Sequence, residues 1–226
     1  MSADSYNQVK HLLAIDCAIF GYEEGEVKLL LFQRGIEPAK GEWSLPGGWV
    51  NGSESVEAAA QRVLLKITGL SNIFLEQVHV FSDPVRDPGG RVVSVLFYAL
   101  IIIQNHDKEL VRNHGAHWFP IEKVPPLIFD HNNMVKMALE KLRAKASYEL
   151  IGEQLLPEEF TLLQLRQLYD AIFQRKFDPA NFRKKVLSLN ALRRLKAKNT
   201  TESKRGAYYY KFKETSAKPG ERIVKL

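Results

Sequence analysis

The chain has 226 residues, enough for two small domains or one large one, and its 45% hydrophobic and 26% charged residues are ordinary for a soluble, folded protein. Its longest apolar run, 95–103, is too short to span a bilayer and predicts a buried strand. The N-terminus lacks the basic-then-apolar order of a signal peptide, so we expect a cytoplasmic protein.

Cys17 is the only cysteine, which excludes an internal disulfide and a cysteine zinc site. Its apolar neighbours predict a buried thiol and not a nucleophile.

The net charge of +6 is unevenly distributed along the chain. Residues 1–150 contain 15 Lys and Arg against 18 Asp and Glu, whereas residues 151–226 contain 17 against 8. A strongly basic segment after a mildly acidic one is typical of a protein in which one module binds a polyanion. We therefore expect two domains, 1–150 and 151–226, and nucleic acid as the partner of the second.

Two strands are predicted near the start, at 11–20 and 26–34, with a polar turn between them. Asp16 is unusual because the rest of the first strand is apolar. It is either a structural carboxylate bonded to a loop backbone or part of the wall of a ligand pocket, since a buried carboxylate needs a partner in both cases. The sequence leaves both interpretations open.

The stretch 43–70 predicts a glycine-rich loop followed by one amphipathic helix. Two adjacent glycines after a proline let the backbone approach another group closely. Ser53 or Ser55 is placed to cap the helix, and Gly69 is placed to end it. Apolar side chains spaced for burial on one helix face lie between these limits: Val56, Ala59, Ala60, Val63, Leu64 and Ile67.

This loop and helix resemble the Nudix box. Six positions match that motif in register: Gly48, Glu54, Arg62, Leu64, Gly69 and Leu70. The three helix glutamates that bind the family's metal are absent, because Val63, Lys66 and Ile67 occupy their positions. Valine and isoleucine offer no oxygen ligand to Mg²⁺, and a lysine repels it. The resemblance implies a Nudix-like α/β/α sandwich, and the departures predict no metal, no cofactor and no catalytic residue.

Further strands are predicted at 74–81 and 91–103, with a short one near Trp118. The loop between the first two, SDPVRDPGG, contains two prolines, two glycines and alternating charges that include Asp83 and Arg86. Such a density of convergent charge suits recognition of a polar ligand.

A helix is predicted from 131 to about 142, with Asp130 as its cap. The segments FSDPVRDPGGRVVSVLFYAL (81–100) and IFDHNNMVKMALEKL (128–142) resemble the Nudix-related transcriptional regulators often called NrtR-type. Members of that family have a similar F-x-D-P-x-R-D-P loop and a Phe-Asp-His start to the last helix of the Nudix domain. Together with the box, the resemblance extends over most of residues 10–145 and implies a regulator.

The basic segment predicts two helices, 160–173 and 179–189, followed by two strands, 192–198 and 206–213, around a basic tip. This order is that of a winged helix–turn–helix domain, and the segment resembles the DNA-binding part of the NrtR-type family. The exposed face of the second helix is cationic and not apolar, which favours DNA over a protein partner. Contacts to base edges and phosphates of double-stranded DNA are expected from Asn181, Arg183, Lys184, Lys185, Lys204, Arg205 and Tyr208.

The favoured function is a transcriptional repressor or activator that binds a palindromic operator as a homodimer and senses a small molecule through a catalytically inactive Nudix domain. The alternatives are an active Nudix hydrolase of a nucleoside diphosphate-linked substrate with an accessory winged helix, and an RNA-linked or scaffolding protein. The missing glutamates argue against the hydrolase.

The effector pocket is expected to contain aromatic and charged side chains: Asp16, Arg34, Trp43, Trp49, Asp83 and Arg86. Regulators of the resembling family bind ADP-ribose when they govern NAD metabolism, and pentoses such as arabinose when they govern sugar catabolism. Tryptophan faces beside Asp and Arg suit a neutral sugar, so the sequence favours the sugar-responsive branch. ADP-ribose is the second candidate, because the arginines and Lys66 can supply cations for its pyrophosphate.

Overall fold

The computed structural model describes residues 9–71, 73–105, 108–201 and 206–213. The strands and helices are β1 (Leu12–Glu23), β2 (Glu26–Gln33), β3 (Trp43–Ser44), β4 (Gly47–Trp49), α1 (Val56–Thr68), β5 (Phe74–Phe81), β6 (Val92–Ile102), α2 (Lys108–Asn113), β7 (Ala116–Pro120), α3 (His131–Tyr148), β8 (Phe160–Thr161), α4 (Leu162–Phe173), α5 (Pro179–Ser188), β9 (Leu192–Asn199) and β10 (Ala207–Phe212). The prediction of a Nudix-like sandwich followed by a winged helix is confirmed.

The first domain is built on a mixed sheet, which has seven strands within the described residues. β1 pairs in parallel with β6, from Leu12 opposite Val92 to Tyr22 opposite Ile102, and antiparallel with β2 and β4. β1 and β6 are buried on both faces, which explains their nearly continuous apolar sequences. β5 extends the sheet beyond β6, while β3 and β7 pair with β2.

Helix α1 covers one face of this sheet with the apolar stripe that the sequence predicts. Ser55 is its N-cap and accepts a hydrogen bond from the Ala58 amide, and Gly69 ends it in the left-handed conformation with a φ of 71°. Val63 and Ile67 lie in one apolar cluster with inward side chains of β1, β2 and β6. Burial of an aliphatic side chain contributes roughly 1.5–3 kcal/mol, so both positions serve the core.

The opposite face of the sheet packs against α3, and its apolar layer continues into the basic segment. Leu142 of α3, Leu165 and Leu168 of α4 and Phe182 of α5 belong to the same continuous cluster as the sheet residues. The two domains therefore share a core and are not independent units joined by a loose linker.

The second domain has the helix–helix–hairpin order that the sequence predicts, with one correction. Its first helix begins at Leu162 and not at Phe160, because Phe160 and Thr161 form β8 and pair with β10. Thr161 then caps α4 through a reciprocal pair of hydrogen bonds with Gln164. The wing consists of β9 and β10, which lie antiparallel. Lys204 and Arg205, predicted at its tip, lie outside the described residues.

Helix α3 connects the two domains and is longer than predicted, because it continues to Tyr148. Asp130 occupies its N-cap position, but the side chain makes no capping hydrogen bond, so the predicted role of this carboxylate is wrong. None of the helices in the described ranges is long and apolar enough to cross a membrane.

Candidate functional site

A cavity of about 320 Å³ lies between the start of β1, the turn before β4 and the start of α3. Four of the six predicted effector residues line it: Asp16, Arg34, Trp49 and Arg86. Its volume is at the lower end of the range for small-molecule sites, about 300–1,000 Å³. The cavity is the candidate effector site.

Gly47 gives the cavity its shape by allowing β4 to lie directly against Asp16. The two residues are register partners in the antiparallel β1–β4 pair. A Cβ atom at Gly47 would lie 2.5 Å from Asp16 Oδ1 and 2.6 Å from the Ile15 carbonyl oxygen. Any other residue would push β4 away from the cavity wall, which explains why the sequence needs glycine here.

Asp16 belongs to the cavity wall, one of the two interpretations that the sequence left open. Its Oδ2 accepts a hydrogen bond of 2.6 Å from Ser94 Oγ on β6, so its hydrogen-bond partner is a neighbouring strand and not a loop backbone. The Arg86 guanidinium lies 3.8 Å from Oδ2 and His131 Nε2 lies 3.8 Å from Oδ1. Asp16 is thus a buried acceptor that faces two nitrogen groups.

Arg86 forms a bidentate ion pair at the cavity. Its Nε and Nη2 donate to the two carboxylate oxygens of Asp130 at 2.8 and 2.7 Å, and its side chain is 4% exposed. Burial opposes the guanidinium charge, but the hydrogen bonds and charge of Asp130 outweigh this effect and raise the pKa of Arg86. The pair explains why Asp130 does not cap α3, since both of its oxygens are already engaged.

Arg34 and Trp49 also line the cavity and are more exposed than Arg86. Arg34 Nε donates to the carbonyl oxygens of Ile36 and Pro38, and its guanidinium lies 5.4 Å from the centre of the Phe129 ring. Trp49 is 47% exposed, although its carbonyl oxygen accepts a hydrogen bond from Arg62. An exposed indole that lines the same cavity as two arginines offers a stacking surface for a planar or sugar ring, and the arginines offer positive charge to an anion.

Trp43 and Asp83 do not line the cavity, although the sequence placed them there. Alternation along β3 turns Ser44 towards the cavity and Trp43 away from it. The Trp43 ring instead packs edge-on against His117 and Phe119 of β7. Asp83 Oδ1 accepts a hydrogen bond from the Val85 amide, so this carboxylate shapes its own loop.

His131 lines the cavity and was not predicted as a site residue. Its Nδ1 accepts a hydrogen bond from the Leu45 amide at 3.1 Å, so the neutral ring carries its proton on Nε2, which faces Asp16. The sequence signal was the Phe-Asp-His start of α3, which contributed to the resemblance but received no chemical role.

The residues that replace the Nudix glutamates do not fit a metal ion. Val63 and Ile67 are 4% and 8% exposed within the core, and no described group of three His, Cys, Asp or Glu side chains is placed to hold a metal. Glu54 is occupied by Arg62, whose Nε and Nη2 donate to its two oxygens at 3.0 and 2.6 Å. That contact, followed by a hydrogen bond from the Asn51 amide, lowers the pKa of Glu54 to about 2.

The sole cysteine offers no nucleophile either. Cys17 is completely buried in the core layer beneath α1, as predicted, and burial raises the pKa of its thiol. A thiolate is required for nucleophilic attack, so this residue is inert.

The candidate DNA interface lies on α5. Phe182 and Val186 anchor the helix in the core, whereas Asn181, Arg183 and Lys184 are exposed on its outer face. Asp178 caps the helix by accepting a hydrogen bond from the Asn181 amide. Lys185, also a predicted contact, is half-buried. The outer face is polar and cationic, as the major groove requires.

Tyr208, the predicted wing residue, is half-buried and supports two cations of the neighbouring strand. The Arg194 guanidinium and the Lys198 ammonium lie 4.6 and 4.7 Å from the centre of its ring. The prediction omitted both cations, although Arg194, Lys196 and Lys198 alternate along β9 and so share one face.

Comparison with known proteins assigns both domains. Residues 10–138 match the family model of the NUDIX domain, and residues 152–212 match that of the NrtR DNA-binding winged helix domain. Over 205 residues the chain is 31% identical to the ADPR responsive transcriptional repressor NtrR of Acinetobacter baylyi, covering 89% of this chain and 82% of that protein. It is also 37% identical over 119 residues to the ADP-ribose pyrophosphatase of Methanocaldococcus jannaschii, covering 53% of this chain and 70% of that enzyme.

Solved structures extend this similarity over both domains. Shewanella oneidensis NrtR complexed with a 27mer DNA matches with a TM-score of 0.81 and 30% identity, covering 89% of this chain and 93% of that chain. The Nudix domain of the same protein complexed with ADP ribose matches with a TM-score of 0.53 and 29% identity, covering 63% and 99%. This chain therefore belongs to the NrtR-type Nudix-related transcriptional regulators, repressors in which a Nudix domain precedes a DNA-binding winged helix.

Proposed function

We propose that this protein is a repressor whose operator binding is weakened by ADP-ribose bound in the cavity of its Nudix domain. The carrying observation is that Arg86, Arg34 and the exposed face of Trp49 line one cavity. In this arrangement the guanidinium groups face the pyrophosphate and the indole stacks on the adenine. Asp16 is placed to accept a hydrogen bond from a ribose hydroxyl.

The relatives support this ligand. The repressor of Acinetobacter baylyi is described as ADPR responsive, and the Nudix domain of the Shewanella oneidensis protein was crystallised with ADP ribose. The pentose that the sequence favoured has no such support. That preference relied on tryptophan faces around the pocket, but Trp43 packs on β7 and leaves Trp49 as the tryptophan that lines the cavity.

The Nudix domain is proposed to bind ADP-ribose without hydrolysing it. The similarity to an ADP-ribose pyrophosphatase raises the alternative of an active hydrolase. Val63 and Ile67 in the core and Lys66 on the surface leave α1 without the carboxylates that a Mg²⁺-dependent attack by water requires. Turnover of ADP-ribose with Mg²⁺ above about 1 s⁻¹ would contradict this part of the proposal.

DNA binding is proposed to involve a homodimer on a palindromic operator, because one recognition helix reads few bases and two-fold pairing doubles the readout. We place the division between the sensing and DNA-binding parts at residues 150 and 151. Asn181, Arg183 and Lys184 would face base edges and phosphates, and Arg194 and Lys198 would face the backbone.

Isothermal titration calorimetry tests the ligand. We expect ADP-ribose to bind one site per chain and L-arabinose and D-ribose to give no saturable heat. The substitution Trp49→Ala removes the stacking surface and should weaken ADP-ribose binding by about 1–2 kcal/mol. Tyr148→Ala, an exposed aromatic change away from the cavity, is the control. Saturable pentose binding without ADP-ribose binding would overturn the proposed ligand.

A further inference from the structure

Two separate segments of the Nudix domain meet in an ion pair at the cavity. Arg86 belongs to the loop between β5 and β6, whereas Asp130 begins helix α3, and 44 positions separate them in the chain. The pair is bidentate and the Arg86 side chain is 4% exposed. The Arg86 guanidinium also lies 3.8 Å from Asp16 Oδ2, and the Asp130 side chain is 23% exposed. Exchange of Asp130 for another anion therefore keeps the buried charge of Arg86 compensated and leaves Asp130 in partial contact with water.

The position of Asp130 gives this exchange a structural consequence. At the N-cap of a helix, an aspartate side chain normally accepts a hydrogen bond from a backbone N–H of the first turn. Here Asp130 makes no such bond, because Arg86 holds both of its oxygens. The Asp130 carboxylate therefore becomes available to cap the first turn of α3 only when Arg86 binds a different partner.

Arg143, in the C-terminal half of α3, contacts the DNA-binding domain. Arg143 Nε donates to the Ile172 carbonyl oxygen at 2.8 Å, and its Nη2 donates to Gln174 Oε1 at 2.6 Å. Both acceptors lie at the C-terminal end of α4, the first helix of the helix–turn–helix. One continuous helix thus connects the cavity to the turn that positions the recognition helix α5.

We propose that Asp130 is the positioning residue that couples ligand binding to operator binding. When the diphosphate of the ligand binds the guanidinium of Arg86, Asp130 is released and caps α3 by accepting a hydrogen bond from a backbone N–H of its first turn. The start of α3 then rearranges, and Arg143 transmits this change to α4 and α5. This inference rests on the proposed function, because it assigns the regulation of the same cavity.

By linkage, a ligand alters DNA affinity only if it binds the two states of the protein unequally. In this proposal the Arg86–Asp130 pair belongs to the first state, which binds DNA, and its exchange for the diphosphate of the ligand belongs to the second state, which binds DNA weakly. Removing the Asp130 carboxylate should leave the protein in the second state whether or not the ligand is present. DNA binding should then be weak throughout, and ADP-ribose should bind at least as tightly as in the wild type, because it no longer displaces a carboxylate.

The test compares the full chain with Asp130→Asn. The dissociation constant of an operator duplex, selected from a random pool with the wild type, is measured with and without saturating ADP-ribose. We expect ADP-ribose to weaken wild-type binding about fivefold or more and to change D130N binding by less than twofold. Glu140→Gln removes an exposed carboxylate from the same helix and should behave as the wild type. If ADP-ribose weakens operator binding by D130N as much as it weakens binding by the wild type, the inference is overturned.

A second variant keeps the test decisive if D130N does not fold. Arg143→Met breaks the contact with α4 and leaves the cavity intact, so ADP-ribose affinity should be unchanged while the effect of ADP-ribose on DNA binding falls below twofold. Amide hydrogen exchange of the first turn of α3 should slow on ADP-ribose binding in the wild type and in R143M. Unchanged exchange in both proteins, or an R143M variant that still responds fully, would contradict the relay.

Different results would contradict ADP-ribose as the ligand and Asp130 as the coupling residue. A wild type that binds no ADP-ribose would overturn the proposed function, and this inference with it. A wild type that binds ADP-ribose and releases DNA, together with a D130N variant that does the same, would overturn only the role of Asp130.

Discussion

Tyr169→Phe removes one oxygen atom at the junction of the two domains and tests whether they form one cooperative unit. Tyr169 lies on α4 and is completely buried, and burial raises the pKa of its phenol. Its hydroxyl donates to the Glu149 carbonyl oxygen at 3.2 Å and accepts from the Ile151 amide at 3.0 Å. The substitution deletes both bonds and leaves the aromatic packing with Phe182 in place.

The expected cost follows from these two contacts. Each neutral hydrogen bond contributes about 1 kcal/mol, and a buried amide that loses its partner costs about 1–3 kcal/mol. We therefore expect the free energy of unfolding to fall by about 2–4 kcal/mol. For a chain of this size, such a loss lowers Tm by roughly 4–16 °C.

Urea denaturation followed by circular dichroism and tryptophan fluorescence measures this change. Because the core is continuous between the domains, both probes should give one coincident transition in the wild type and in the variant. Tyr148→Phe removes an exposed hydroxyl and should change the stability by less than about 0.5 kcal/mol. If Y169F loses less than about 0.5 kcal/mol of unfolding free energy, the two hydrogen bonds do not stabilise the junction. Two separate transitions in the wild type would contradict the claim that the domains unfold as one unit.

Three further outcomes are expected. Arg183→Ala should weaken binding to the selected operator by about 1–3 kcal/mol if the side chain reads a base edge, whereas Lys184→Ala should reduce the slope of log affinity against log salt by about one; equal effects on unrelated DNA would contradict base reading by Arg183. Arg62→Met should return the pKa of Glu54 from about 2 towards 4.5, as measured by NMR titration. Because the pKa of Glu54 is lowered in the folded protein, the Arg62–Glu54 contact stabilises the fold above pH 4.5, and this stabilisation is lost as the pH falls through about 2. The variant should lack this pH dependence of stability. Analytical ultracentrifugation should show two chains per palindromic duplex, and one chain on a non-repeated site as the sole complex would contradict the dimer.

Local signals in the sequence predicted the fold correctly. The sequence left Ser53 and Ser55 as alternative caps of α1 and placed its end at Gly69; the structure has Ser55 as the cap and a left-handed Gly69 at the end, as local signals of this kind allow. The predicted start of α5 at residue 179 is confirmed, because Asp178 caps the helix and Pro179 occupies its first position. The left-handed Gln174 after α4 was not predicted, because a glutamine gives no such signal.

The candidate site was harder to predict, because its contacts are long-range. Asp130 looked like a cap, but its partner Arg86 lies in a distant loop. Trp43 was expected in the cavity because an aromatic face suits a sugar, but alternation along β3 directs its side chain to the other face, where it packs on Phe119. His131 was overlooked, since its role depends on an amide and a carboxylate brought together by the fold.

The most direct test of the account is the operator affinity of the full chain, titrated by fluorescence anisotropy against increasing ADP-ribose at fixed salt. If the cavity is the sensor, the apparent dissociation constant should rise with ADP-ribose and level off at about 5–150 times its starting value, which corresponds to a coupling of about 1–3 kcal/mol. The midpoint of that rise should follow the calorimetric affinity for ADP-ribose. An operator affinity that stays constant while the cavity is saturated would contradict the claim that this Nudix domain controls DNA binding.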